Sequence, residues 1–349
     1  MSSQPLVEQQ HHRHAVDALP PRPGASGLKG VLLPVLVVLA IGTIFVSVYL
    51  AAFHAPVPHR LPVAVVGNAQ TADRVGSALD RAQPGGFVVM SYPDQTAARA
   101  ALDHRAVYAA YIAPGSGPDS GSGSAPRLLY AGANGSGVTA TVTGAFGAVA
   151  EGAGGTAHPL AAVDVRPAAG GDTRGLSVFY AAFGVVLAGF MFGSATYQLA
   201  PRLEYRLRML SLLVFGLLSG VMVALVAGRG FAALPGPSVG VAGVVALMAI
   251  AAGGATMVLF RLCGPAGVSI SSVVLLILGN ASSGGILPAA YLPGWLRPLH
   301  GILPVGVGVR ALQGLAYFHH DGVAAGIAIL AAWVAACAGA LYLRDVRSA

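Results

Sequence analysis

This 349-residue chain contains several long apolar segments without any charged residue. Crossing ~30 Å of hydrocarbon takes about 20 helical residues, because each residue rises ~1.5 Å and lipid offers no partner to an unpaired backbone group. Five segments satisfy this length, at residues 31–53, 176–200, 209–227, 239–260 and 323–343. With 55% hydrophobic and only 9% charged residues, the sequence predicts an integral membrane protein.

A sixth segment, residues 268–287, is also free of charge but is less apolar. Its polar residues are Ser269, Ser271, Ser272, Asn280, Ser282 and Ser283. Counting it as a span, we predict an α-helical integral membrane protein with six transmembrane helices, the first at 31–53 and the other five within a transmembrane domain at 176–349. The first segment exceeds the ~7 to 15 apolar residues of a signal peptide, which favours an uncleaved signal anchor over a cleaved signal.

Basic residues near the span ends predict the orientation, since cytoplasmic loops carry an excess of Lys and Arg. One side of the predicted spans holds Arg13, Arg22, Lys29, Arg202, Arg206, Arg208, Arg261, Arg344 and Arg347. The opposite short connection contains only Arg229. We therefore expect a cytoplasmic tail at residues 1–30, both termini in the cytoplasm, and residues 54–175 outside the cell. In a soluble protein the net charge of +7 would suggest nucleic acid as a partner, but this placement favours membrane lipids and no nucleic acid.

Between the first two spans the composition becomes more polar, and its pattern predicts a small α/β extracytoplasmic domain. Short apolar runs predict strands at residues 61–66, 87–92, 107–112, 128–131 and 162–166, and helices are predicted at 71–81, 94–105 and 138–151. Asp94 is the expected N-cap of the second of these helices. Residues 115–126 are interpreted as a flexible linker rather than a phosphate-binding loop, because no helix starts after their glycines.

Motifs for enzymatic chemistry are missing from the sequence. The single lysine, Lys29, does not lie in a Walker A loop, and neither a G-x-S-x-G nucleophile elbow nor an H-E-x-x-H pair occurs. We therefore predict no enzymatic activity, no cofactor, and no catalytic or metal-binding residue. A histidine cluster near the N-terminus lacks fixed geometry, which favours a solvated tail over a metal site for His11, His12 and His14.

No predicted span contains a carboxylate. Proton- or sodium-coupled carriers usually keep an ionisable residue inside the helix bundle despite its energetic cost. The sequence therefore argues against a secondary transporter. A separate energy-supplying subunit is the remaining way to drive a carrier of this kind.

Three further features lie in the helical part of the sequence. Pairs of the form G-x-x-x-G fit packing within the chain as well as dimerisation, at Gly189 and Gly193, Gly216 and Gly220, and Gly322 and Gly326. On spacing alone, the basic stretch 201–208 is more typical of a positive-inside anchor than of a docking element. Residues 319–321, His-His-Asp, are interpreted as anchors at the membrane surface.

Residues 279–318 carry the motifs N-x-x-S-G-G, L-P-x-x-x-x-P and L-P-x-G-x-x-V-R in that order. Their residues include Asn280, Ser283, Gly284, Gly285, Pro288, Pro293, Pro304, Gly306 and Arg310. In order and spacing this stretch resembles the region after the fifth helix of ABC-2 type transporter permeases, particularly the bacterial group that includes the YhgE and phage-infection-protein-like membrane proteins. The plan of one helix, an exported domain and five further helices is similar across the whole chain.

The resemblance implies the permease subunit of an ABC-type exporter in the bacterial plasma membrane, moving a lipid, a drug-like molecule or an envelope component out of the cell. It implies two partners, a separate cytoplasmic ABC ATPase and a second permease copy in a homo- or heterodimer. Arg202, Glu204, Arg206 and Arg208 would form the loop that couples to the ATPase, and the Pro- and Gly-rich segment 284–321 would cap the pathway outside. The alternative is a membrane-anchored envelope scaffold or receptor whose extracytoplasmic domain binds a partner.

Overall fold

The computed structural model describes residues 28–116, 125–152 and 159–348 of the chain. The helices are α1 (Leu28–Phe53), α2 (Ala69–Ala82), α3 (Gln95–Asp103), α4 (Ser136–Gly152), α5 (Ser177–Leu199), α6 (Tyr205–Val223), α7 (Ser238–Cys263), α8 (Ala266–Ser271), α9 (Gly279–Ala281), α10 (Arg297–His300), α11 (Pro304–Ala316) and α12 (Val323–Ser348). Wide π-helical turns extend α6 over Ala224–Gly230 and join α8 to α9 over Ser272–Leu278. The strands are β1 (Leu61–Val66), β2 (Phe87–Tyr92), β3 (Ala109–Ile112), β4 (Arg127–Tyr130) and β5 (Ala161–Asp164).

The chain divides into two compact units, residues 1–43 and residues 44–349. The amino-terminal part of α1 belongs to the first unit. The second unit contains the last turns of α1, the whole sheet and every helix from α2 onward.

The five strands form one sheet in the order β2-β1-β3-β4-β5. β1 pairs in parallel with β2 and β3, β4 runs antiparallel to β3, and β5 runs parallel to β4. The central strand β1 has the sequence Leu-Pro-Val-Ala-Val-Val and is almost completely buried. Such a continuous apolar run is typical of a strand that is covered on both faces.

Side chains of β1 alternate between two apolar clusters. Leu61, Val63 and Val65 pack with α2 and α4 on one face of the sheet. Ala64 and Val66 pack with α3 on the other face. The predicted small α/β arrangement is therefore present, with helices covering both faces of the sheet.

Local sequence signals position most of these elements. The predicted strands 61–66 and 87–92 coincide with β1 and β2, and the predicted Asp94 cap accepts a hydrogen bond of 2.8 Å from the Ala97 amide. Asn68 caps α2 in the same way, so that helix begins before the predicted residue 71. Residues 117–124 of the predicted linker lie outside the described residues, as does the histidine cluster His11, His12 and His14.

Among the described residues, five helices are long and apolar enough to cross a membrane: Val31–Phe53, Ser177–Leu199, Tyr205–Gly230, Ser238–Cys263 and Val323–Arg344. They correspond to the five most apolar predicted spans. By the length and composition of these helices, the chain is a membrane-embedded helical protein with a small sheet.

The predicted sixth span at 268–287 is shorter in the structure, where one helix covers Ala266–Ala281. At ~1.5 Å per residue this helix is about 24 Å long, less than the ~30 Å of a typical hydrocarbon layer. The hydroxyl of Ser282 donates to the carbonyl of Leu278 at 2.7 Å, and Gly284 then turns the chain with a φ of +72°. Local turn chemistry therefore ends the helix before residue 287, and a count of six spans is not confirmed.

α7 is the central helix of the bundle and packs against α5, α6, α8, α11 and α12. The glycine pairs of α5 and α6 face it. A Cβ added at Gly193 would lie 2.6 Å from the carbonyl oxygen of Gly253, and one at Gly220 would meet the carbonyl of Ala242. Close packing within the chain therefore accounts for the G-x-x-x-G pairs of these two helices.

Candidate functional site

The motif residues begin at the end of α9, where Asn280 is buried. Its Nδ2 donates a hydrogen bond to the hydroxyl of Tyr49 in α1. Leaving a buried amide donor without a partner costs about 1 to 3 kcal/mol, so this bond stabilises the contact between the two helix ends. Asn280 therefore joins α9 to the last turns of α1.

Two of the motifs meet at His300. Its Nδ1 lies 3.2 Å from the carbonyl oxygen of Ser282 and 3.1 Å from that of Ser283, so Nδ1 carries the hydrogen and donates it. Gly284 lies against the same ring, where an added Cβ would come within 2.5 Å of Cε1, and Gly306 lies against the His300 backbone. The N-x-x-S-G-G and L-P-x-G-x-x-V-R motifs thus pack around a residue that belongs to neither of them.

The charge state of His300 follows from its surroundings. Burial lowers the pKa of this imidazole below its ordinary value of 6.5, while the hydrogen bond to the Ser282 carbonyl raises it. The positive charges of Arg310 and Arg105 lower the pKa further. His300 is therefore neutral at pH 7, with Nδ1 as its donor nitrogen.

The other motif residues shape the chain on either side of His300. Gly285 lies against Phe179 of α5, where an added Cβ would be 2.7 Å from the Phe179 Cβ. Pro288 and Pro293 each open a turn, and their carbonyls accept amide hydrogen bonds of 2.9 and 3.0 Å from three residues further on. Pro304 occupies the first turn of α11, where its missing N–H is not needed.

Arg310 is not at His300 but in an ion-pair cluster at the corner between α11 and α12. Its Nη2 lies 3.4 Å from Oδ2 of Asp321. Arg105, which follows α3, reaches the same carboxylate oxygen at 2.8 Å from Nη2 and 2.9 Å from Nε. It also donates to the side chain of Gln313 at 3.0 Å and to the backbone carbonyl of Arg310 at 3.1 Å. Arg105 thus links the end of α3 to the corner between α11 and α12 by hydrogen bonds.

Apolar contacts hold the segment 284–321 against both faces of the sheet. Leu287 and Tyr291 are buried in the cluster formed with α2 and α4. Phe318 is fully buried in the cluster on the α3 face. The guanidinium of Arg105 covers the Phe318 ring at 4.9 Å from its centre. One continuous segment therefore contacts both faces of the sheet as well as the helix bundle.

The predicted coupling residues differ in their exposure. Arg202, Glu204 and Arg206 are exposed in the loop from α5 and at the start of α6. Arg208 is buried, with only 4% of its surface exposed, and its Nη2 donates to the carbonyl of Leu203 at 2.9 Å. Arg208 is therefore not available on the surface of this loop, and the predicted coupling face is reduced to the other three residues.

Arg208 lines an open cleft of about 420 Å³ between the ends of α5, α6 and α7. The walls include two further arginines, Arg202 and Arg261, and two aromatic rings, Tyr197 and Phe260. The cleft thus brings together basic residues from two connections that were predicted, from the charge distribution, to lie on the same side of the membrane.

Sequence reasoning did not identify the contacts of Arg105, His300 and Phe318. Asp321, predicted as an anchor at the membrane surface, is the acceptor of the Arg105 and Arg310 guanidinium groups. One signal was available, because Asp321 is the only acidic residue between 205 and 344. A lone carboxylate beside apolar helices calls for a cationic partner.

Within residues 28–116, 125–152 and 159–348, no group of three or more His, Cys, Asp or Glu side chains could hold a metal ion. Comparison of the chain with protein-family models, with characterised proteins and with solved structures found no match. The resemblance to ABC-2 permeases therefore rests on the motifs of the sequence and stays a prediction.

Proposed function

We propose that this chain is the membrane-spanning subunit of an ABC-type exporter in the bacterial plasma membrane. The main support for the proposal is that two of the motifs that resemble those of exporter permeases lie together in the structure. Ser283, Gly284 and Gly306 come from two motifs and pack around His300. Residues that matched the exporter pattern only by spacing thus form one connected structure, as expected if the pattern reflects a shared architecture.

In this proposal the helix Ala266–Ala281 is the fifth of six transmembrane helices, and the segment 284–321 follows it at the outer side of the membrane. Irregular backbone at membrane depth is tolerated where it is buried in protein. The packing of this segment against the sheet and the bundle supports such a placement. The α/β domain within 54–175 then lies outside the cell, and both termini lie in the cytoplasm.

The proposed mechanism needs two partners. A separate ATPase binds and hydrolyses ATP, and its closing and opening switch the pathway between inward-open and outward-open states. A second permease copy forms the other half of the pathway for a lipid, drug-like or envelope substrate. Because Arg105 and the segment 284–321 tie the sheet to α11 and α12, the α/β domain moves together with these helices.

The exposed residues Arg202, Glu204 and Arg206 form the docking face for the ATPase. Arg206 gives the clearest test, since it is exposed and does not line the cleft. Arg229 is a matched control, because it is an exposed arginine in the π-helical turn at the other end of the same helix.

The test is an affinity purification from native membranes, with quantitative mass spectrometry of co-purifying proteins. We expect the ATPase to be retained by the wild-type chain and by Arg229→Glu, and retention to fall about tenfold in Arg206→Glu, since an opposite charge at a close contact costs on the order of 1.4 kcal/mol or more. Equal retention by both variants would contradict the assignment of the coupling face. Absence of any ATPase would instead favour the envelope scaffold or receptor.

A further inference from the structure

Arg208 has hydrogen-bonding capacity that the described part of the chain does not satisfy. Its Nε and Nη1 are buried and have no acceptor among the described residues. Nη2 is engaged with the Leu203 carbonyl at 2.9 Å, and the ring of Tyr197 covers the guanidinium at 4.1 Å. A buried charge without a counter-ion is strongly destabilising, so this arrangement calls for an anion close to Arg208.

The cleft beside Arg208 has the charge that such an anion requires. Arg202 contributes a further positive charge to its walls, and among the described wall residues there is no carboxylate. Planar guanidinium groups bind phosphate oxygens through paired hydrogen bonds, and several of them together favour a phosphate over a single carboxylate. A cleft of about 420 Å³ also has room for a phosphate with its attached groups.

Apolar surroundings identify the source of the phosphate. The cleft lies at the ends of α5 and α7, which are both long enough to cross a membrane. Leucines beside it are strongly exposed, with 85% of Leu199 and 48% of Leu262 accessible. Arginines next to exposed leucines at the ends of apolar helices are typical of the level where lipid headgroups meet the hydrocarbon layer.

We propose that this cleft binds the phosphate of an anionic membrane lipid, with Arg208 and Arg202 as its hydrogen-bond donors. The acyl chains lie along the exposed leucines, and the headgroup neutralises the buried guanidinium. This site does not depend on the transport function. It shares Arg202 with the proposed ATPase docking face, whereas Arg206 of that face does not line the cleft.

The test measures thermal unfolding of the full-length protein in a neutral detergent, during titration with phosphatidylglycerol, phosphatidylcholine or inorganic phosphate. Three variants are compared with the wild type: Arg208→Gln, Arg202→Ala and Arg206→Ala. Arg202 and Arg206 are both exposed, so neither replacement disturbs the interior, and only Arg202 lines the cleft. Arg202→Ala therefore keeps the test decisive if Arg208→Gln does not fold.

Phosphatidylglycerol should raise the melting temperature of the wild type, and phosphatidylcholine should not. The half-saturating concentration should rise about tenfold in Arg208→Gln and about threefold in Arg202→Ala, and stay unchanged in Arg206→Ala. An equal response to both lipids would overturn the proposal, and so would an equal effect of Arg202→Ala and Arg206→Ala. A matching response to inorganic phosphate alone would show a site for a free anion instead of a lipid.

Discussion

Arg105 and Asp321 lie 216 positions apart in the chain and form an ion pair with 2.8 Å between Nη2 and Oδ2. Their side chains are only 7% and 18% exposed. Burial lowers the pKa of Arg105, whereas the charge of Asp321 raises it. Further hydrogen bonds to Gln313 and to two backbone carbonyls complete the surroundings of the guanidinium. This pair is the main polar connection between the α/β domain and the corner of α11 and α12.

Replacing Arg105 by Gln should destabilise the protein by about 3 kcal/mol, because the mostly buried Asp321 carboxylate would lose its closer cation and keep only the longer contact of 3.4 Å to Arg310. Thermal unfolding of the purified protein measures this loss. Arg99→Gln is the matched control, since Arg99 is an exposed arginine on the neighbouring helix α3. If both variants melted at the same temperature, the ion pair would not stabilise the contact between the α/β domain and the corner of α11 and α12.

His300 should make the stability of the protein depend on pH. The pKa of His300 is lower in the folded chain than its ordinary value of 6.5. Below pH 6.5 the imidazole is therefore more fully protonated in the unfolded chain than in the folded chain. The contribution of His300 to the free energy of unfolding is therefore fully present above pH 6.5 and decreases as the pH falls.

His300→Asn removes the titrating group and keeps an N–H donor near the position of Nδ1. Between pH 7.5 and pH 5.5, roughly the range in which a free histidine titrates, the melting temperature of this variant should fall less than that of the wild type. His104→Asn, at an exposed histidine after α3, should behave like the wild type. Identical pH profiles for His300→Asn and the wild type would refute the assignment.

Gly193→Ala should destabilise the helix bundle by about 1 to 3 kcal/mol, because the new Cβ would lie 2.6 Å from the Gly253 carbonyl oxygen of α7. Gly184 is the control on the same helix, since an added Cβ there meets no atom within 4 Å. Gly184→Ala should be neutral or slightly stabilising, as alanine favours helices over glycine. Melting temperatures in detergent compare the two, and an unchanged Gly193→Ala would argue against close packing of α5 on α7.

Phe318→Ala should cost about 3 to 5 kcal/mol, because this fully buried ring fills the apolar cluster between α3 and the sheet. It should also expose the α/β domain to limited proteolysis. Phe231→Ala is the control, since the Phe231 side chain is 71% exposed. Equal protease resistance in the two variants would show that Phe318 does not hold the segment 284–321 against the sheet.

Much of the fold could be predicted because short stretches of sequence determine several of its strands and helices. β1 and β2 followed from short apolar runs, and the start of α3 from the Asp94 cap. Five apolar helices followed from the length of charge-free apolar segments. The end of the helix at Ala281 was missed because Ser282 and the positive φ of Gly284 stop it inside a stretch that still looks apolar.

The candidate site was less predictable, because its contacts join distant parts of the chain. Nothing beside Arg105 in the sequence points to Asp321, and nothing beside His300 points to Ser282 and Ser283. The burial of Arg208 likewise depends on Tyr197 in a different helix. Spacing could assign these residues to motifs and loops, but only tertiary packing decides which of them are exposed.

The most direct test of the exporter proposal is to purify the full chain from its native membranes with a mild detergent, and to determine the stoichiometry and ATP hydrolysis of what accompanies it. We expect a Walker-motif ATPase in stoichiometric amount, with hydrolysis that changes when this chain is removed. Repeated absence of such a subunit, under conditions that keep a known permease and its ATPase together, would contradict the exporter and favour an envelope scaffold or receptor.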